Sequence, residues 1–390
     1  MRILFVEIQQ AVHSVGYVNS LLLHAPQETN VEVAVALPDR HEYLGDLLKS
    51  LPFPPEVRKF TLPGWTSRLP GRLGGYWIAF KALLHLRKII KEWKPDRVAF
   101  LRIDFVFLWL ALPIRKWIFG SCEISGIYFG GGEFRPNLQT RLKQRIRHFL
   151  TRSIIRHALR QKTLRTAFCL DHSLPKKVSA LAGFHAEKLQ ASADPWLPFP
   201  HLEPAAALKA LALDLRPPVV LSLGVQSRRK GTCQLLESLA HLKPGSFSVL
   251  IAGPLRSDVS ESVKNLIEQR RSEGWQITVV DRFIADEETW TFLQAATIVV
   301  CPYVDFYQSS NVMIRACAAG RPVLVSKGGV MEDAVKTHHC GIAAEPVPAE
   351  IAAGIRDLFA KLHEDPQTFS HGCESYASLH SSERFFRQFL

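Results

Sequence analysis

The chain has no CxxC pair, no GxGxxG fingerprint and no apolar run long enough to cross a bilayer. Its seven cysteines stand singly, at 122, 169, 233, 301, 317, 340 and 373. Without paired spacing they indicate neither a zinc site nor a disulfide framework, and a reducing compartment is the expectation. The most apolar stretch, Phe105 to Leu112, is stopped by Pro113-Ile-Arg-Lys, short of the ~20 residues a membrane helix needs. The opening run from Met1 meets a charge at Glu7, too soon for the apolar core of a signal peptide. A cytoplasmic protein is therefore expected. No carboxylate pair suited to a metal is legible, so neither a metal nor a bound cofactor is expected. The missing GxGxxG removes the usual argument for NAD.

Acid is scarce in one half only. Residues 1–195 hold 29 Lys and Arg against 15 Asp and Glu, whereas residues 196–390 hold 19 against 21. The whole excess of +12 thus comes from the first half, and the two halves should meet different partners. The extreme is residues 135–170, with ten Lys and Arg and no acid. Between Leu138 and Leu164, Leu142, Ile146, Phe149, Leu150 and Ile154 recur at helical spacing beside Arg141, Arg145, Arg152, Arg156 and Arg160. Such a helix either buries its apolar stripe in its own domain, leaving the basic face in water, or lies on an anionic membrane or partner. Nucleic acid is not expected, because aromatics do not alternate with the basic residues as in stacking platforms.

What the chain does have is alternation of strands and helices. Its 390 residues are enough for two domains. Arg2 to Glu7 and Val31 to Leu37 read as parallel strands, with a loop from Ile8 to Gly16 and a helix from Tyr17 to His24. Arg72 to Lys94 reads as an amphipathic helix, its apolar side marked by Ile78, Leu83, Leu86, Ile89 and Ile90. Alternation of this kind gives a parallel sheet covered on both faces. A proline-rich stretch over 191–218 divides the chain, and a second series opens at Val219. We therefore expect two domains, 1–195 and 196–370, with a C-terminal helix in 371–390 packing back on the first. The fold class is α/β, two Rossmann-like domains whose parallel sheets face each other across a cleft.

The second series centres on residues 296–326. An apolar strand up to Cys301 is followed by the polar knot Gln308-Ser309-Ser310-Asn311, a helical run closed by Gly320, and another strand from Val323. Ser and Asn suit helix N-caps, and the free amides and dipole of a helix start favour an anion. A phosphate or diphosphate is the natural ligand; the other reading is a capped helix with no ligand.

Several spaced motifs here resemble the nucleotide-sugar domain of GT-B glycosyltransferases, in particular glycosyltransferase family 4. They are a strand ending in Gly224, then Lys230-Gly231 opening a helix, Ile251-Ala-Gly253 ending a strand, Phe283-Ile-Ala-Asp-Glu-Glu288, and Ala316-Cys-Ala-Ala-Gly-Arg-Pro-Val323. The resemblance covers about residues 217–345; over 1–195 only the strand pattern and Lys94-Pro-Asp96 match. It implies sugar transfer from a nucleoside-diphosphate sugar, with retention and without a metal. The acceptor, a glycan or a lipid-linked group, is unknown. Lys230 would contact the diphosphate, Gly224 and Gly231 would permit close backbone approach, Gly253 would lie on the donor side, and Ser309, Ser310 and Asn311 would hold the leaving group. Phe283 lies in the matching donor-side segment.

The chain departs from the family at its E-x7-E pair, where Tyr307 and Arg315 stand, and after Gly224, where Val225 replaces the usual arginine. Arg228, Arg229 or Arg315 would supply the missing charge. Alternatives are a noncatalytic scaffold or a sugar-nucleotide epimerase. In the first domain, His13, Asp104 and Glu133 are the candidates for catalysis and acceptor positioning, with Gly16 in the loop that opens the cleft. The basic segment 135–165 would place the protein at the inner face of an anionic membrane.

Overall fold

The structure, a computed structural model, describes all residues except 9–12, 40–50, 52, 65–70, 135–141 and 182, and leaves the side chains of residues 13, 14, 71, 72, 132 and 143 undescribed. Met1–Leu197 with Ser381–Leu390 form one compact unit, and Pro198–His380 form another.

The first unit is built on seven parallel strands: β1 (Arg2–Val6), β2 (Glu32–Pro38), β3 (Val57–Leu62), β4 (Arg97–Phe100), β5 (Glu123–Tyr128), β6 (Leu164–Cys169) and β7 (Leu189–Ala191). Their order is β3-β2-β1-β4-β5-β6-β7. The helices between them are α1 (His13–His24), α2 (Gly71–Trp93), α3 (Phe107–Ala111), α4 (Ile114–Phe119), α5 (Leu142–Leu159) and α6 (Leu174–Ser179). Side chains of a strand alternate between faces, and the two cores follow that period. Leu4, Val6, Val98 and Phe100 pack under α2 to α6. Ile3, Phe5, Ala99 and Leu101 pack under α1 and the end of the chain.

Three features differ from the sequence reading. Helix α1 begins at His13, so Gly16 lies in its first turn and not in a loop. The cause is the buried set Val15, Tyr17, Val18, Leu21 and Leu22, which recurs at helical spacing from before Gly16. Strand β3 went unread because Arg58 and Lys59 sit on it exposed, as an edge strand allows. The basic helix stops at Leu159, and Leu164 already belongs to β6.

The second unit has six parallel strands: β8 (Val219–Leu223), β9 (Ser248–Ala252), β10 (Ile277–Val280), β11 (Ile298–Cys301), β12 (Val323–Ser326) and β13 (Gly341–Ala344), in the order β10-β9-β8-β11-β12-β13. Its helices are α7 (Pro204–Ala210), α8 (Thr232–Ser238), α9 (Ser260–Ser272), α10 (Asp286–Ala295), α11 (Asn311–Ala318), α12 (Val330–His338), α13 (Pro348–Glu364) and α14 (Ser370–Ser378). Strands β8, β9, β11 and β12 are buried along their whole length, which is why they read as continuous apolar runs.

The last helix, α15 (Ser382–Arg387), belongs to the first unit. Phe385 stacks on Tyr17 at 4.9 Å, Phe389 meets Phe5 edge-on at 5.2 Å, and Ser382 pairs with His24 at 2.9 Å. The apolar spacing of Phe385, Phe386 and Phe389 closes the core on that face.

Candidate functional site

In an open parallel sheet, ligands bind beyond the carboxyl ends of the strands where the strand order reverses. In the second unit that point lies between β8 and β11. Gly224 follows β8 at φ +102°, and the chain turns back through Arg228-Arg229-Lys230 into α8. Gly231, at φ +69°, passes so close to β11 that an added Cβ would lie 1.9 Å from the Pro302 carbonyl oxygen. Gly253 is held the same way: its Cβ would lie 2.1 Å from the Gly224 carbonyl oxygen. Glycine is thus required by close backbone approach at both positions.

This packing drives Lys230 inward. Its ammonium donates to the Tyr303 hydroxyl at 2.6 Å and to the Leu223 carbonyl at 3.3 Å, and the residue is only 8% exposed. No carboxylate among the described residues pairs with it. Burial lowers its pKa to about 8; neighbouring Cys301 opposes that shift and Arg229 reinforces it. Tyr303 links onward to Ser310 at 3.2 Å, and the Ser310 hydroxyl caps α11 by accepting from the Met313 amide at 3.5 Å. The Ser309 hydroxyl oxygen is buried with no partner among the described residues. Asn311 is the first residue of α11. Arg229 lies over the rings of Phe306 and Tyr303, at 4.6 and 5.7 Å. Lys230, Gly224, Tyr303, Ser310 and the start of α11 therefore form one cluster.

Other expected residues stand apart from it. The Arg228 amide donates to Asp258 at 3.2 Å. Phe283 is half exposed in the loop after β10, the outermost strand. The Arg315 fork, read from the sequence as available to a diphosphate, is taken by Asp286, which accepts from both terminal nitrogens at 2.8 and 3.1 Å. The guanidinium also lies 5.6 Å from the centre of the Trp290 ring. The carboxylate comes from α10, a helix away, and no spacing in the sequence pairs the two.

Tyr303 and Gln226 were missed. Gln226 is fully buried; it donates to the Gly224 carbonyl at 2.6 Å and accepts from Thr232 at 2.6 Å, bracing the turn. The signal available for Gln226 was its place just after Gly224 in a glycine-bounded turn.

In the first unit, Asp104 and Glu133 line one cavity of about 130 Å³. Asp104 follows β4, accepts from the Phe129 amide at 3.2 Å and lies 3.8 Å from Arg102. Burial raises its pKa against the pull of Arg102, with Glu133 adding to the rise. Glu133 accepts from the Tyr128 hydroxyl and from the Gly131 amide at 3.3 Å. Burial holds the Tyr128 pKa high, so its hydroxyl stays a donor. Tyr76, Phe105 and Phe107 form aromatic walls, and Thr151, Ile154 and Ile155 of α5 close the cavity. His13 opens α1, and its side chain lies outside the described ones. Gly16 carries no close approach: a Cβ there would meet nothing within 4 Å. No cluster of metal-ligating side chains occurs among the described residues.

Residues 206–371 match the family model of the glycosyl transferases group 1. A curated relative, the alpha-maltose-1-phosphate synthase of Mycolicibacterium smegmatis, is 25% identical over 211 residues, 52% of this chain and 52% of that protein. The chain thus spans about half the length of the curated relative it matches. The sucrose-phosphate synthase of Thermosynechococcus elongatus aligns with TM-score 0.73 and 18% identity, over 100% of this chain and 97% of that one. Anabaena HepE, solved with UDP and glucose, aligns with TM-score 0.67 and 17% identity, over 100% and 98%. These two establish the fold over the whole length. Residues 206–371 are thus similar to the glycosyl transferases group 1, and the chain as a whole shares the fold of these two structures, two parallel sheets of the GT-B kind.

Proposed function

We propose that the chain is a glycosyltransferase that moves a sugar from a nucleoside-diphosphate sugar to a hydroxyl acceptor, with retention and without a metal. The observation that carries this is Lys230: a buried ammonium with no acid partner among the described residues, at the switch point of a sheet in the region that matches the glycosyl transferases group 1. A buried cation without a counter-ion is costly, and a diphosphate would relieve that cost. As the sugar leaves, charge grows on the diphosphate. Lys230 and the amides at the start of α11 would meet it there, where stabilisation lowers the barrier. Asp104 and Glu133 would accept hydrogen bonds from the acceptor, a glycan or a lipid-linked group. The reading includes a station at the inner, anionic face of a membrane, reached through residues 135–165.

Purified protein incubated with a panel of nucleotide sugars should release nucleoside diphosphate, faster once an acceptor is supplied. Arg315, standing where a ribose-binding glutamate would be and held by Asp286, favours a second reading, a scaffold that binds without turnover. Binding of a nucleotide sugar with no release under any acceptor would select it.

A further inference from the structure

Helix α5 has two apolar faces. Ile155, Ala158 and Leu159 point into the core, and Thr151, Ile154 and Ile155 close the Asp104–Glu133 cavity. At ~100° per residue, Leu142, Ile146, Phe149 and Leu150 fall on the opposite side. There they are 71, 53, 68 and 55% exposed. Of the five apolar residues legible in the sequence, Leu142, Ile146, Phe149 and Leu150 therefore lie on the outer face and Ile154 on the inner one.

The face extends beyond one helix. Leu73 and Trp77 of α2, Leu112 and Trp117 of α4 and its entry are exposed as well. Helices α2 to α5 share one core on the same side of the first sheet, and Phe80 of α2 stacks on Trp109 of α3 at 4.6 Å. Together these four helices carry twelve Lys and Arg and one acid, Glu92. That acid is paired with Arg58 at 3.2 Å. The exposed tryptophans sit beside cations: Arg87 lies 3.9 Å from the Trp117 ring centre and Lys81 lies 5.5 Å from that of Trp77. Exposed tryptophans with a cation over the ring suit the boundary between headgroup and acyl chain.

We propose that the outer face of α2 to α5 docks on an anionic phospholipid bilayer, with Leu142, Ile146, Phe149 and Leu150 inserted among the acyl chains. This rests on the membrane station in the reading above and replaces a purely electrostatic contact by insertion. Charge complementarity selects the occupant. A second copy of the chain would bring like charge against like, and a neutral partner would leave the cations unused. Apolar insertion and anionic headgroups add their contributions in interfacial helices, each Lys or Arg near the surface strengthening binding several-fold.

The test is sedimentation of the full chain with phosphatidylcholine vesicles, alone or with roughly 30% phosphatidylglycerol. The double variant Phe149→Ser/Leu150→Ser runs in parallel, its fold checked by circular dichroism. The wild type should bind the anionic vesicles at least ~10-fold more tightly than the neutral ones, and the double variant should lose ~10-fold or more of that binding. Equal binding by the double variant would overturn insertion while leaving membrane contact and donor binding standing. Binding to neither vesicle would overturn docking without touching donor turnover, which is read separately by diphosphate release. Concentration-dependent dimerisation in ultracentrifugation, lost in the double variant, would assign the face to self-association and overturn the proposal.

Discussion

The two units share a strand plan and differ in what stands at the carboxyl ends of their strands. In the first, acids follow strand after strand: Glu7 after β1, Asp104 after β4, Glu133 after β5, Asp171 after β6 and Asp194 after β7. Among the described residues, the buried acids Glu7, Glu133, Asp171 and Asp194 all lie in this unit, and the buried Lys230, Arg270 and His380 all lie in the second. The net charges run the other way, since residues 1–195 carry the basic excess. Net charge is therefore a statement about the surface and the partners it attracts. The charge buried at the strand ends is a separate property. Carboxylates accept from hydroxyls; a buried ammonium beside a helix start awaits an anion.

The largest effect expected from breaking this contrast is at Lys230. Lys230→Met removes a buried ammonium at the switch point, a charged hydrogen-bond donor of the kind worth ~1.5–3 kcal/mol. Affinity for a nucleoside diphosphate should fall by ~10- to 150-fold, and affinity for the bare nucleoside should change little. Titration calorimetry with both ligands reads the difference. Next in size is the acidic side. Asp104→Asn and Glu133→Gln keep shape and remove the acceptor-only charge, so acceptor-dependent turnover should drop by ~10- to 100-fold with diphosphate affinity unaltered. A fall in diphosphate affinity instead would merge the two edges into one function.

The pH dependence sharpens the comparison further. The folded pKa of Lys230, about 8, lies below the ordinary lysine value of ~10.4. Between those two values the unfolded chain binds more protons than the folded one, so this group makes stability rise with pH across that window. Diphosphate binding requires the charged form and should weaken above pH ~8. Opposite slopes for thermal stability and ligand affinity are thus expected between about pH 8 and 10, and both should flatten in Lys230→Met. The smallest effect belongs to Arg315→Lys. Its fork is already filled by Asp286, so stability should fall by only ~0.5–1 kcal/mol, and the ratio of diphosphate to nucleoside affinity should hold within about twofold. A larger loss for the diphosphate would return Arg315 to the ligand.

Much of this was legible because parallel strands buried on both faces leave continuous apolar runs, and because glycine marks close backbone approach. Ser310 was reached as a capping residue between two such runs, whereas Lys230, Gly224 and Gly253 came from the resemblance of their motifs. Asp104 and Glu133 were reached as residues following strands, though nothing in their spacing says they share a cavity. Periodicity found the apolar stripe of α5 but not its direction. A helix with two apolar faces gives the same period whichever face is buried, and only Ile155, Ala158 and Leu159 against the sheet decide it. Tyr303 was hidden because it reads as the residue after a strand, while its hydroxyl meets a lysine 73 positions earlier. Asp286 was hidden for the same reason of long-range pairing, and strand β3 because an exposed edge carries charge where a central strand would not.

The most direct test is calorimetry of UDP, GDP and ADP binding near pH 8 in buffers of different ionisation enthalpy, on wild type and Lys230→Met. A lysine whose pKa is about 8 in the free protein is pulled to its charged form by a bound diphosphate. Wild type should therefore take up a fraction of a proton on binding at least one of the three, and the variant should bind it far more weakly with no proton uptake. Unchanged diphosphate affinity in a folded Lys230→Met, or no binding of any of the three to wild type, would contradict the account.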